Sequence, residues 1–244
     1  MNIKSILMRL YFAVNEKTFQ GKVKYLFQRN RSKTLAIVFS GFPGNEKPVY
    51  NYVKTLKNWK ADKLFILDDF AYKGSYYWYQ NGSNEPLKYV QSLINQTINR
   101  GGYNKIVTLG SSKGGTCAIY FGLTSKADEV YAAACQYHIG QYLNTDEHKR
   151  IFQSMMGTDA GEAEQKMLDS MMPDVLQTNA GSRTLIHLMY SKEEHTYQEH
   201  IADLIKDLEK NGIEHTDKIE SFKEHGEVGR FFIPWIKETL NIRP

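Results

Sequence analysis

The stretch NKIVTLGSSKGGTCAIYFGL, Asn104 to Leu123, decides how the rest of the chain is read. Lys105-Ile106-Val107-Thr108-Leu109 is short, apolar and β-branched, which suits a buried strand. Gly110-Ser111-Ser112-Lys113-Gly114-Gly115 follows, and the residues after it read as a helix. Strand, Gly-x-Ser-x-Gly, helix is the layout of a nucleophile elbow centred on Ser112. Such a turn holds a serine hydroxyl above the sheet, and glycines flank it because side chains there would collide with neighbouring backbone. The helix that follows aims its positive N-terminus at whatever sits on the serine.

The flanking sequence alternates strands and helices. Lys22–Phe27 alternates as an early strand. Thr34–Ser40 is a buried strand ending in the Gly41-Phe42-Pro43-Gly44 loop. Tyr52, Leu56 and Trp59 are spaced for a helix, Lys63–Leu67 forms a strand stopping at Asp68-Asp69, and 86–100 forms an amphipathic helix through Val90, Leu93, Ile94 and Ile98. Beyond the elbow, strands are expected at Val130–Cys135, Thr184–Tyr190 and Thr216–Phe222. A helix is expected from Tyr197 to Lys210, ended by Asn211-Gly212, and a closing helix runs through Leu240. Residues 138–180 contain no strand pattern and carry Met155, Met156, Met167, Met171 and Met172. The expectation is a single α/β domain over 1–244, a mostly parallel sheet with helices on both faces, and a helical cap insertion at 138–180.

Composition narrows the function classes. With 244 residues there is room for one sizeable α/β core. A formal net charge of +4, with only a mild basic cluster at Lys22, Lys24, Arg29, Arg31 and Lys33, lacks the concentrated stripe of a nucleic-acid binder. Cys117 and Cys135 have no metal-ligand spacing and read as buried thiols in a reducing compartment. The run Ile6–Phe12 is broken by Arg9, is too short to span a membrane and has no small-residue cleavage site, so a cytoplasmic protein is expected. No metal site or cofactor is expected: Gly110–Gly115 lacks GxGxxG spacing, and its lysine precedes the glycine pair.

A serine nucleophile needs a base, and the chain offers seven histidines. His187 lies mid-strand, and His148 and His200 lie on helix faces in charged surroundings where solvation is expected. His225 sits in a short loop with Gly226, after the last strand and before the last helix, where the base falls in the order Ser…acid…His. His138 is the alternative. The acid should follow the penultimate strand, at Ser191-Lys192-Glu193-Glu194-His195. Counting three residues past Tyr190 favours Glu193, with Glu194 second, and Asp68 or Asp69 is a competing placement. The oxyanion donors are expected to be the amides of Lys113 and Phe42. Tyr76, Tyr77 and Trp78, in a loop ending at Tyr79, could stack on a sugar face or fill a gap beside the core.

These residues carry a resemblance. The elbow and the chain order of the three groups resemble the α/β-hydrolase superfamily. Three segments resemble the hydrolase-like proteins of bacterial capsular polysaccharide biosynthesis and the acetyltransferase component of accessory secretion systems. They are Leu67-Asp68-Asp69-Phe70 with Gly74-Ser75-Tyr76-Tyr77, the Gly110–Gly115 elbow, and Tyr190-Ser191-Lys192-Glu193-Glu194-His195. The resemblance implies a Ser-Glu-His triad acting on acyl groups of carbohydrate, as an esterase or an acetyltransferase, with a small-molecule or glycan partner. A non-catalytic scaffold of a glycan-synthesis complex and a lipase-like or thioesterase-like hydrolase are the alternatives.

Overall fold

The computed structural model describes residues 12, 14–44 and 46–242, so most of the Ile6–Phe12 run lies outside the described residues. Among the described residues, eight strands form one sheet in the order β1-β2-β4-β3-β5-β6-β7-β8. They are β1 (Glu16–Phe19), β2 (Val23–Gln28), β3 (Thr34–Phe39), β4 (Asp62–Ile66), β5 (Lys105–Ser111), β6 (Glu129–Ala133), β7 (Leu185–Ser191) and β8 (His215–Glu220). β1 and β2 pair antiparallel at one edge, and all pairs from β4 to β8 are parallel. The parallel strands therefore end together at one rim, where loops after β3, β5 and β7 converge.

Among the described residues, the helices past β1 are α1 (Glu85–Gly101), α2 (Lys113–Thr124), α3 (Ile139–Leu143), α4 (Lys149–Met156), α5 (Glu162–Thr178), α6 (Ala202–Lys210) and α7 (Val228–Thr239). A π-turn at Tyr197–Ile201 leads into α6, and a 3₁₀ turn at His225–Glu227 leads into α7. β3 shows why the central strands read as continuous apolar runs. Leu35, Ile37 and Phe39 enter the core on the α1, α2 and α5 side, while Val38 enters the second core with Phe232 and Ile236 of α7. The last strand, β8, is largely exposed and carries Asp217 and Lys218, charges that discourage edge-to-edge pairing.

The Tyr52–Trp59 segment departs from the helix expected of its spacing. It is a run of turns, with Leu56 N bonded to Tyr52 O and Trp59 N to Leu56 O. Tyr52 takes φ 62°, a left-handed conformation that breaks helical propagation, while Val53 and Leu56 still reach the core. Within 138–180, Leu168, Met172, Val175 and Leu176 of α5 face the core rather than solvent. Cys117 on α2 and Cys135 just past β6 are buried and unpaired. No helix among the described residues is long and apolar enough to cross a membrane.

Candidate active site

The elbow is fixed by backbone packing. A Cβ on Gly110 would lie 2.2 Å from Gly114 O, and one on Gly114 would lie 2.7 Å from Phe39 O. Both positions therefore demand glycine, and the chain turns sharply from β5 into α2. Ser112 takes φ 53° and ψ −131°, a strained conformation for a residue with a Cβ, which costs on the order of 1–3 kcal/mol. Its amide donates to Ala133 O at 2.8 Å, and its hydroxyl stands clear of the sheet at the head of α2.

His225, carried by the 3₁₀ turn before α7, places Nε2 2.8 Å from Ser112 Oγ. Its Nδ1 lies 3.1 Å from Oε1 of Glu194. Glu194 is buried, and its second oxygen accepts from the Thr196 hydroxyl. Burial alone would raise the Glu194 carboxyl. The hydrogen bonds from His225 and Thr196, with the charges of His225 and His195, outweigh it and hold the group below its ordinary value. That stabilisation is present above the ordinary carboxylate range and is lost as pH falls through the lowered value.

The carboxylate that reaches His225 is Glu194 and not Glu193, the residue the spacing favours. Glu193 is exposed and accepts from the Ser221 hydroxyl at 2.7 Å, turned away from His225. Asp68 and Asp69 do not reach His225 either: Asp69 pairs with Lys24 at 2.6 Å, and Asp68 lies beneath the elbow. The alternative base, His138, bonds Asp203 at 3.1 Å. His187 stacks on Tyr131 with ring centroids 4.5 Å apart.

Of the two histidines expected in solvent, His148 is half-buried and His200 is buried. His148 precedes α4, packs at a tilt against Tyr142 and lines the cavity over Ser112. His200 is buried, and its Nδ1 accepts from the His138 amide, so its proton sits on Nε2, which finds no partner. Burial lowers its pKa to about 4. A histidine held neutral in the fold and protonated when unfolded makes stability rise with pH between about 4 and the ordinary 6.5, and it is lost on acidification through that window. His200→Asn, which keeps an acceptor for the His138 amide, is expected to flatten the dependence of melting temperature on pH between 4 and 6.5. An unchanged slope would assign the acid sensitivity to other groups.

Tyr76, Tyr77 and Trp78 do not form a sugar platform. All three are fully buried, because Tyr76 and Tyr77 take positive φ and fold the loop under the elbow. Tyr77 OH donates to Ile66 O and lies 3.0 Å from the Ser40 amide. Tyr76 OH donates to Gln136 Oε1 at 3.4 Å, and Gln136 Nε2 in turn donates to Ser112 Oγ at 3.2 Å. Gln136 is a contact to the serine that carries no sequence signal; only its place just past β6 hints at it.

Lys113 has its side chain folded into the protein. Nζ lies 2.6 Å from Asp68 Oδ2, with both side chains almost wholly buried, and sits over the Tyr77 and Phe42 rings. Asp68 also accepts from the Ser75 amide and hydroxyl and from the Tyr77 amide. The pair thus ties the elbow to the loop after β4. Lys113→Met strands a buried carboxylate and is expected to cost about 3–5 kcal/mol, read as a melting temperature lower by about 10 °C. Adding Asp68→Asn removes the stranded charge and should restore part of the loss. A double variant no more stable than Lys113→Met would show that the charge is not the cause.

A cavity of about 610 Å³ opens over Ser112 and His225. Phe42 and Pro43 form one wall, and Tyr142, His148 and Arg150 of the α3–α4 region form another. At the rim the Arg150 guanidinium lies 3.7 Å from the Tyr72 ring centroid and pairs with Glu46 at 3.4 Å. The Lys113 amide is the first of α2 and so has no acceptor within its helix. Phe42 follows Gly41 in the loop after β3 and lines the same cavity. None of the five methionines of 138–180 lines it; Met155, Met156 and Met172 are buried in the core.

No protein-family model and no curated protein sequence matches the chain. Solved structures do. The capsule O-acetyltransferase of Neisseria meningitidis serogroup A superposes with a TM-score of 0.78 at 21% identity, covering 93% of both chains. The Glycosylation Associate Protein (Gap123) complex of Streptococcus agalactiae matches with a TM-score of 0.72 at 16% identity, over 93% of this chain and 46% of that one. FphF, a fluorophosphonate-binding serine hydrolase of Staphylococcus aureus, matches with a TM-score of 0.64 at 14% identity, over 92% and 94%. The chain has the α/β-hydrolase fold, as its sequence resemblance implied.

Proposed function

We propose that the protein is a carbohydrate O-acetyltransferase working through an acyl-serine, with Ser112, His225 and Glu194 as its triad. The observation that carries this reading is the continuous chain of contacts from Ser112 Oγ through His225 to the buried Glu194, built on a strained elbow. His225 Nε2 takes the Ser112 proton as Oγ attacks the acyl carbonyl. The amides of Lys113 and Phe42 receive the oxyanion. His225 then protonates the leaving group, and the acetyl group stays on Ser112. A sugar hydroxyl, deprotonated by the same imidazole, collects the acetyl group in the second half-reaction. Glu194 keeps the imidazole proton on Nδ1 and stabilises the imidazolium. Gln136 orients the serine oxygen, and α3 and α4 cap the site.

Transfer rather than hydrolysis is supported by similarity in fold and length to the meningococcal capsule O-acetyltransferase, which has also been solved in complex with CoA. The test supplies acetyl-CoA and follows free thiol with and without an oligosaccharide acceptor. Release that depends on the acceptor, with acetyl recovered on sugar, is the expected result. Release indifferent to acceptor would make the protein a hydrolase. A parallel series of nitrophenyl esters should favour acetyl over octanoyl by a wide margin, and a preference for long chains would replace the carbohydrate reading with a lipase-like one.

A further inference from the structure

At the opposite end of the parallel strands from Ser112 lies a second cavity, of about 440 Å³. β3 spans the interval, starting after Lys33 in this cavity and ending before the Ser40–Phe42 loop, a separation of about 20 Å. Lys17, Arg29, Arg31, Lys33 and Arg100 surround it, all exposed. None of the five has an ion-pair partner among the described residues.

The one carboxylate in the wall, Asp62, is already committed. Oδ1 accepts from the Asn30 amide at 2.6 Å and the Ser32 amide at 3.2 Å, and Oδ2 accepts from Tyr103 OH at 3.0 Å. Five cations against one carboxylate leave an excess of four positive charges here, as large as the formal net charge of +4 of the whole chain. The floor is aromatic: Tyr25, Phe27 and Tyr103, each half-buried, offer flat apolar surface.

We propose that this cleft binds an acidic glycan chain, holding the polymer on which the Ser112 site works; the proposal rests on the carbohydrate reading of that site. The layout favours a repeating charge over a single phosphate. Three cations alternate with neutral residues along Arg29-Asn30-Arg31-Ser32-Lys33, and Lys17 and Arg100 face them from β1 and α1. The helix end at the cleft is the C-terminus of α1, whose partial negative charge works against a phosphate seated in the cavity, so anions are held at the rim by side chains. Arginine forks match carboxylate and phosphate oxygens, and aromatic faces suit sugar rings between them. None of the exposed large apolar side chains among the described residues lines the cleft, which argues against membrane insertion. A second hold on a long acceptor raises its effective concentration at the active serine.

The test uses the Ser112→Ala full chain, so that binding is read without chemistry. A fluorescent polygalacturonate oligomer is titrated by anisotropy at low and high salt, beside neutral dextran of equal length, ATP and vesicles containing phosphatidylglycerol. Binding of polygalacturonate that weakens with salt, little binding of dextran, and a loss of at least about tenfold in Arg29→Glu/Arg31→Glu is expected. The same double substitution in an otherwise unaltered protein should leave turnover of nitrophenyl acetate unchanged, which shows that the fold is intact. Equal binding of dextran, indifference to the charge reversal, or tighter binding of ATP or vesicles would overturn the proposal. If polygalacturonate binds as expected but no variant with Ser112 intact shows acyl chemistry, the active-site reading fails and the cleft stands.

Discussion

Replacing Ser112 by alanine is expected to lower turnover of a short activated ester by about a millionfold and to abolish labelling by a fluorophosphonate, with the melting temperature little changed. The magnitude follows from the role: without Oγ there is no acyl intermediate, and His225 has nothing to deprotonate. Stability should hold because the strain at Ser112 is a backbone property set by Gly110 and Gly114, and alanine meets the same φ of 53°. The control is Ser111→Ala. Ser111 Oγ bonds Tyr52 OH, away from His225, and its loss should change turnover by no more than a few-fold. Inactivation by Ser111→Ala with Ser112→Ala still active would place the nucleophile one residue earlier.

The second large effect separates two neighbouring glutamates. Glu194→Gln keeps the shape of a buried side chain but removes the charge facing His225 Nδ1, and turnover should fall by about 10³–10⁴-fold. Glu193→Gln touches only an exposed bond to Ser221, and its effect should stay within about threefold. Thermal melts of both variants distinguish lost catalysis from lost folding. Equal losses in the two, or a larger loss at Glu193, would remove Glu194 from the proposed triad.

The same pair shows where the sequence stops being legible. The elbow could be read because its steric constraint leaves its mark in one short motif: only glycine fits at 110 and 114, where Gly114 O and Phe39 O approach. His225 could be read because the gap between the last strand and the last helix is short. The acid needed the end of β7 to a single residue. β7 runs to Ser191 rather than Tyr190, and three residues further on lies Glu194. The aromatic loop misled for a different reason. Tyr76, Tyr77 and Trp78 follow turn-forming Gly74 and Ser75 and so look exposed, yet Asp68 captures the Ser75 and Tyr77 amides and draws the loop inward. The same carboxylate pairs with Lys113, far away in sequence. β1 escaped notice because only Phe19 of its four residues is buried, leaving no alternation to read.

Strand order also bears on how the chain reaches its working form. β5, β6, β7 and β8, neighbours in both sequence and sheet, form one half, within which β6 reaches β7 across residues 134–184. β3 joins it only by pairing Thr34 with Lys105, across a long intervening segment. Pairings of that kind are slow to form during folding. The tight approach of Gly114 to Phe39 O, which helps hold the serine in its unfavourable backbone conformation, exists only after that pairing closes. The backbone geometry around Ser112 is therefore complete only when β3 and β5 are paired, and a chain in which that pairing has not closed lacks the contact that shapes the elbow.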